Sequence, residues 1–286
     1  MIEVEIRVER LRKGKIEDIV ALSSHIGWDY NREEIEMILN TGIVYGVVNE
    51  REELIASAAI ILYGETLASI GMVIVHPDYK GRGIGKIITD LCVKSVLTQT
   101  PIMLIATDEG KILYERLGFR AVSYVSKYIC NSYNANYHCV GNEEYIVNYE
   151  ERDLEEIIQI DKDAFGTNRE EFLKYRIIQS EQCIVTKDAQ QNVLGYGLSI
   201  QTPENKIIGP VVAKNDAMAM RMVHYLAREH HGKLSIDVPE GKKGFMKELE
   251  ITGFQKVNTP PIMIKNSDQF LKRNGELYSI AAQIFG

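Results

Sequence analysis

Lys80-Gly81-Arg82-Gly83-Ile84-Gly85 places three glycines at alternate positions beside two cations. The apolar run Met72-Val73-Ile74-Val75 leads into it. Behind it, Ile84, Ile87, Ile88, Leu91, Cys92 and Val96 recur at helical spacing. Glycines have no Cβ, so backbone N–H groups can approach an anion closely. A helix starting there adds free N–H groups and the positive end of its dipole. The construction is that of a phosphate or pyrophosphate site. Two other phosphate loops do not fit it. The dinucleotide fingerprint needs a glycine where Lys86 stands, and the nucleotide-triphosphate loop needs Ser or Thr where Ile87 follows Gly85-Lys86.

Other side chains are open to two readings. Tyr114 lies between Leu113 and Leu117 on one helix, where it is either a core tyrosine or a functional phenol. His25 and Trp28 close the first helix and either line a substrate pocket or staple the helix end. His76, before Pro77 at a strand end, suits a turn better than a general base. Asp161 and Asp163 either bind an amine or decorate a helix. His230-His231 ends a helix and suits its dipole. Cys130 and Cys139 pair as a disulfide or stay as two thiols. None of the four cysteines forms a CxxC pair or stands at a metal-ligand spacing from a histidine, so no metal is expected.

These residues need elements to hold them. Glu3–Val8 reads as an edge strand, and Lys15–His25 and Arg32–Leu39 as helices, the second capped by Asn31. Ile43–Val48, Leu54–Leu62 and Leu67–Val75 read as strands. Then come a helix from Ile84 to Leu97, a strand over Ile102–Ala106, a helix over Lys111–Leu117 and a strand over Phe119–Val125. The order predicts a mixed α/β domain over residues 1–130. Residues 131–144, rich in Asn and Tyr, read as a linker. Residues 145–286 repeat the pattern: Gly209 matches Gly71, and Gly253-Phe254 matches Gly118-Phe119. A period of roughly 135 residues is too long for a solenoid and implies two domains of one fold. The second copy lacks the glycines, reading Ala213-Lys214-Asn215-Asp216-Ala217 where the loop should be. It is therefore expected to be degenerate.

The chain has 286 residues and a formal charge of −7, with no basic run, which argues against nucleic-acid binding. An acidic protein favours a cationic substrate such as an amine. No apolar stretch reaches the ~18 residues needed to span a bilayer, and the first residues show no signal pattern, so a cytoplasmic protein off the membrane is expected. The sequence does not indicate an oligomeric state.

The stretch Val73 to Gly85 resembles motif A of the GNAT superfamily of acyl-CoA-dependent N-acetyltransferases, with Lys80 where the family has Arg or Gln. Leu113-Tyr114-Glu115-Arg116-Leu117-Gly118-Phe119 is similar to its Tyr-x-x-x-Gly-Phe segment. Ala106-Thr107-Asp108-Glu109-Gly110 resembles the approach to that helix in one subgroup. Phe165-Gly166-Thr167-Asn168-Arg169, Gly195-Tyr196 and Ile208–Ala213 resemble an accessory C-terminal domain of some two-domain members. The resemblance implies acetyl-CoA as co-substrate. Backbone groups of Met72, Val73, Ile74 and Val75 would hold the pantetheine amides and polarise the thioester. Lys80, Gly81, Arg82, Gly83, Ile84, Gly85 and Lys86 would hold the pyrophosphate, with Gly110 and Tyr114 also at the cofactor. Tyr114 would protonate the leaving thiolate. Many members place a carboxylate base on the strand before the loop; Leu67–Val75 has none, so the base is left unassigned. The expected activity is acetyl transfer to a small-molecule primary amine. The rivals are a protein or peptide acceptor and a non-catalytic acyl-CoA-binding regulator.

Overall fold

A computed structural model of the chain describes residues 6–28, 30–136 and 146–286. In chain order it runs β1 (Arg7–Arg10), α1 (Ile16–Ser24), α2 (Arg32–Thr41), β2 (Gly42–Val48), β3 (Leu54–Tyr63), β4 (Leu67–Val75), α3 (Ile84–Lys94), β5 (Ile102–Ile105), α4 (Asp108–Arg116) and β6 (Arg120–Cys130). It continues through β7 (Ile146–Asn148), α5 (Leu154–Phe165), α6 (Glu170–Gln179), β8 (Gln182–Lys187), β9 (Val193–Gln201), β10 (Lys206–Val212), α7 (Asp216–Ala227), β11 (Leu234–Pro239), α8 (Lys243–Ile251), β12 (Gln255–Asn258), β13 (Pro261–Lys265) and β14 (Leu277–Ser279). The two runs repeat one plan: strand, two helices, three strands, helix, strand, helix. The fold is a tandem duplication in the mixed α/β class.

The chain divides into two units. The first holds the described residues up to Ala121, with Met263–Asp268 and Phe285; the second holds those of Val122–Ile262, with Gln269–Ile284 and Gly286. Residues 122–130, read from the sequence as the end of the first domain, thus lie in the second unit. There β6 pairs along β11, from Leu234 opposite Cys130 to Pro239 opposite Val125, and also with β12. In return, Met263–Lys265 of β13 lies beside β5 in the first unit. Most of the expected linker, and Cys139 with its possible disulfide, lie outside the described residues.

In the first unit, β1, β2, β3 and β4 are antiparallel neighbours, and β5 lies parallel to β4. One face packs on α3, where Ile84, Ile88 and Cys92 join Ala58, Ile60, Ile70 and Leu104 in one apolar cluster. Burying each large aliphatic side chain contributes about 1.5–3 kcal/mol, which fixes α3 on the sheet. Asn31 caps α2 as expected, accepting the Glu34 N–H at 2.8 Å. The helix expected at Lys111 begins earlier, at Asp108, because the Thr107 hydroxyl accepts the Gly110 N–H at 3.1 Å and caps it.

Among the described residues no helix is long and apolar enough to cross a membrane, and no group of three or more His, Cys, Asp or Glu is placed to hold a metal ion.

Candidate active site

The site starts where two parallel strands part. β4 and β5 pair only at Ala68–Ile102, Ser69–Met103 and Ile70–Leu104, yet β4 continues to Val75. Beyond Ile70 its peptide groups on that side have no β5 partner. On the other side the ladder with β3 slips between Gly71–Ala59 and Ile74–Ser57. Two residues of β4, Met72 and Val73, therefore face one of β3, which is a bulge. Met72 sits at φ 51°, unusual for a residue with a side chain. The Ser57 hydroxyl donates to the Met72 carbonyl at 3.2 Å and holds this turn. Met72 and Ile74 are buried, while Val73 and Val75 are half-buried.

The glycine loop lies at the end of that strand. Gly81 and Gly83 both take left-handed conformations, φ 79° and 77°, which L side chains adopt only at a cost. A Cβ built on either would meet nothing within 4 Å, so both faces are open. Gly83 is the N-cap of α3 without a side-chain cap, and the helical ladder begins at Ile87 N–H to Gly83 carbonyl, 3.2 Å. The N–H groups of Ile84, Gly85 and Lys86 precede the first closed turn and remain for an anion. Arg82 is held beside them: its guanidinium donates to the Asp78 carbonyl at 3.2 Å and lies 5.0 Å from the Tyr79 ring centre. Lys80 pairs with Glu109 at 3.0 Å on the surface. A pyrophosphate fits this loop because the cradle is open, cationic and built from backbone N–H groups.

Tyr114 is buried on α4, edge-on to Phe119 with ring centres 6.0 Å apart. A Cβ on Gly110 would come within 2.9 Å of the Tyr114 ring, so this glycine makes room for it. Burial, and the nearby Cys92 thiol, push the phenol well above its ordinary value and keep its proton in place. The Cys92 thiol is itself pushed up to about 12 by burial.

The remaining candidates separate. His25 is exposed and its ring lies tilted against His76, centres 5.2 Å apart, and His76 in turn lies 6.0 Å from Tyr79. This pair stands next to the glycine loop, about four residues and so roughly 13 Å along β4 from Met72 at ~3.3 Å per residue. His76 serves the turn, its Nδ1 accepting the Asp78 N–H at 3.3 Å. Trp28 is half-buried and packs on Tyr30 with ring centres 6.1 Å apart. In the second unit Asp161 is neither an amine site nor a surface residue. It is buried, takes two hydrogen bonds from Arg169 at 2.8 and 2.7 Å, and accepts the Tyr196 hydroxyl. Arg169 also lies 3.8 Å over the Phe165 ring, and through Asp161 the segments 165–169 and Gly195-Tyr196, singled out separately, meet in one buried cluster. Asp163, exposed, accepts from Gln159.

Two family models, each described as an acetyltransferase (GNAT) domain, match residues 157–279 and residues 40–121. The uncharacterized N-acetyltransferase YitH of Bacillus subtilis (strain 168) is 31% identical over 278 residues, 97% of each chain. A putative acetyltransferase from Pyrococcus horikoshii shares the fold with a TM-score of 0.80 at 20% identity, over 98% of this chain and 96% of that one. A tandem GNAT protein from the clavulanic acid biosynthesis pathway shares it with a TM-score of 0.68 at 10% identity, over 93% and 100%.

Proposed function

The chain belongs to the GNAT family of acetyltransferases, and we propose that it transfers the acetyl group of acetyl-CoA to the primary amine of a small molecule by direct attack. The observation that carries this reading is the parting of β4 from β5 at Ile70, directly ahead of an open glycine loop at a helix start. Bound acetyl-CoA supplies the acetyl group as a thioester. The peptide groups of Met72 to Val75 orient the pantetheine and polarise the carbonyl. The N–H groups of residues 80–86 hold the pyrophosphate, and Gly110 borders the same site. Positioning and carbonyl polarisation carry most of the rate.

Tyr114 holds the proton for the departing sulfur. A phenol raised by burial is a weak acid in water, but a thiolate forming in the same surroundings is destabilised too. Burial pushes the neighbouring Cys92 thiol up as well, to about 12, so these surroundings disfavour the charged form of thiol and phenol alike. The two acids stay close enough in strength for the proton to move as the C–S bond breaks. The acidic charge of the chain supports an amine that arrives as a cation and attacks as the neutral base after losing a proton; the proton its nitrogen then loses as the amide forms balances the one Tyr114 gives to sulfur. His25 and Trp28 stand as its candidate contacts. One centre serves the chain, because the second copy of the loop has lost its glycines.

Thiol release over a panel of amines, peptides and aminoglycosides tests this reading. Tyr114→Phe is expected to lower kcat by about 10²-fold with acetyl-CoA affinity unchanged. Acetyl-CoA binding without turnover of any acceptor, together with an inert Tyr114→Phe, makes the chain a binding protein instead.

A further inference from the structure

The second unit repeats the parting of strands. β10 and β11 pair in parallel only at Lys206–Leu234 and Ile207–Ser235, although β10 runs on to Val212. Its ladder with β9 slips between Ile208 and Val211, as that of β4 slips at Met72. Here the opening is filled by the chain itself. β14 runs antiparallel along β10, with Ser279 opposite Val211 and Leu277 opposite Val212. The Ala213 N–H donates to the Glu276 carbonyl at 3.0 Å. On the far side the Ile280 N–H donates to the Asp237 carbonyl of β11, also at 3.0 Å. The Ser279 hydroxyl bridges both walls, 2.8 Å from the Ile208 carbonyl and 3.3 Å from that of Asp237.

We propose that Glu276–Ile280 is a built-in occupant of the second cofactor cleft, lying where an extended pantetheine arm would lie and closing that cleft to acyl-CoA. This rests on reading the β4–β5 opening as the acyl-CoA cleft of the first unit. The chemistry of replacement is direct. A pantetheine arm is an extended chain carrying two amides, and an extended peptide offers the same alternation of N–H and C=O to an unpaired strand side. The glycine at 209 admits the segment, since a Cβ there would run into the Ile280 carbonyl oxygen. Leu277, Tyr278, Ser279, Ile280 and Ala281 are all buried, as core residues are.

The phosphate end is replaced as well. α7 stands where α3 stands in the first unit, but the Asn215 side chain accepts the Met218 N–H at 2.9 Å and caps it. The Asp216 carboxylate accepts the Tyr278 hydroxyl at 2.8 Å. A carboxylate at this helix start puts the protein's own negative charge where a phosphate would sit. Lys242 covers the Tyr278 ring at 3.6 Å, and Lys214 pairs with Glu276 at 3.0 Å, fastening both flanks of the segment.

Amide hydrogen exchange on the full chain, with and without saturating acetyl-CoA, tests the proposal. Amides of residues 211–213 and 277–280 are expected to exchange slowly in the free chain and to stay unchanged with acetyl-CoA, while those of residues 81–86 slow down. Fast exchange at 277–280 in the free chain, a change at 211–213 on adding acetyl-CoA, or two acetyl-CoA bound per chain would overturn it. If acetyl-CoA protects nothing anywhere, the first-unit reading fails, and the free-chain rates still decide whether the segment occupies its cleft. Gly209→Val is expected to raise exchange at 211–213 and 277–280 at least tenfold, leaving the KM for acetyl-CoA unchanged. Should that variant not fold, Ser279→Ala is expected to raise exchange about tenfold in the same two stretches alone. Unchanged rates in Ser279→Ala would overturn the bridging role given to Ser279 and with it the proposal.

Discussion

Gly110 shows how one residue without a side chain can set the place of another, here the ring proposed as the proton donor. It lies in the first turn of α4, four residues ahead of Tyr114, and its φ is not left-handed. By propensity alone, Gly110→Ala in a helix should stabilise by about 0.5–1 kcal/mol. The added Cβ would instead press on the Tyr114 ring at 2.9 Å and on the Thr107 hydroxyl at 3.2 Å, which itself caps the helix. The ring must move, and displacement of a reacting group by about 1 Å can cost up to 10²-fold in rate. Gly110→Ala is therefore expected to lower kcat by about tenfold or more with little change in the KM for acetyl-CoA, and to lower the melting temperature. A higher melting temperature with unchanged kcat would leave Gly110 with no part in placing the phenol. Steady-state kinetics and a thermal melt read both outcomes.

At the scale of elements, the loop and α3 act as one piece. Two left-handed glycines open the chain just ahead of the helix start, and α3 supplies the dipole behind its free N–H groups. Gly83→Val forces a β-branched residue to φ 77° at an open position, costing about 1–2 kcal/mol of backbone energy and covering the cradle. Acetyl-CoA binding is expected to fall below detection by calorimetry while the α3 core, formed by Ile84, Ile88 and Cys92, holds the fold. Undiminished affinity would remove the loop from the site. The left-handed turns of this loop were legible in the sequence because glycine is the one residue whose presence reports backbone geometry directly. α2 and its Asn31 cap were legible for a similar local reason. The parting of β4 from β5 was not. Continuous apolar runs mark both strands as buried, but where pairing stops depends on a bulge at Met72 held by Ser57, fifteen residues away. Asp161 was misread for the same reason: its partners Arg169 and Tyr196 come from two other elements, and no spacing along one helix announces them.

At the scale of the whole chain, duplication could be read from matched glycines, but strand exchange could not. β6 follows α4 in sequence and pairs with β11 and β12; β13 follows β12 and lies beside β5. Periodicity states that a strand exists and is silent on its neighbour. β14 escaped altogether, since Leu277–Ser279 is too short to show alternation. One property does follow from the sum of the buried groups. Burial pushes the Cys92 thiol up to about 12, and raises the phenols of Tyr114 in the first unit and Tyr196 in the second. In the unfolded chain a thiol titrates near ~8.5 and a phenol near ~10. The folded values lie above the unfolded ones, so the folded state binds these protons more tightly. Their contribution to stability is complete below about pH 8.5 and is lost as pH rises toward the folded values, by about 1.4 kcal/mol per pH unit for each group in its window. The urea midpoint is therefore expected to fall steadily from pH 9 to 11. Between about pH 8.5 and 10 the thiols alone have begun to titrate in the unfolded chain, so Cys92→Ala should lessen that first part of the slope, with Cys183, which burial also pushes up to about 12, keeping part of it, and leave the steeper part above it. A midpoint that holds constant to pH 11, or a Cys92→Ala chain with the same slope from pH 8.5, would mean that these groups ionise without unfolding the core.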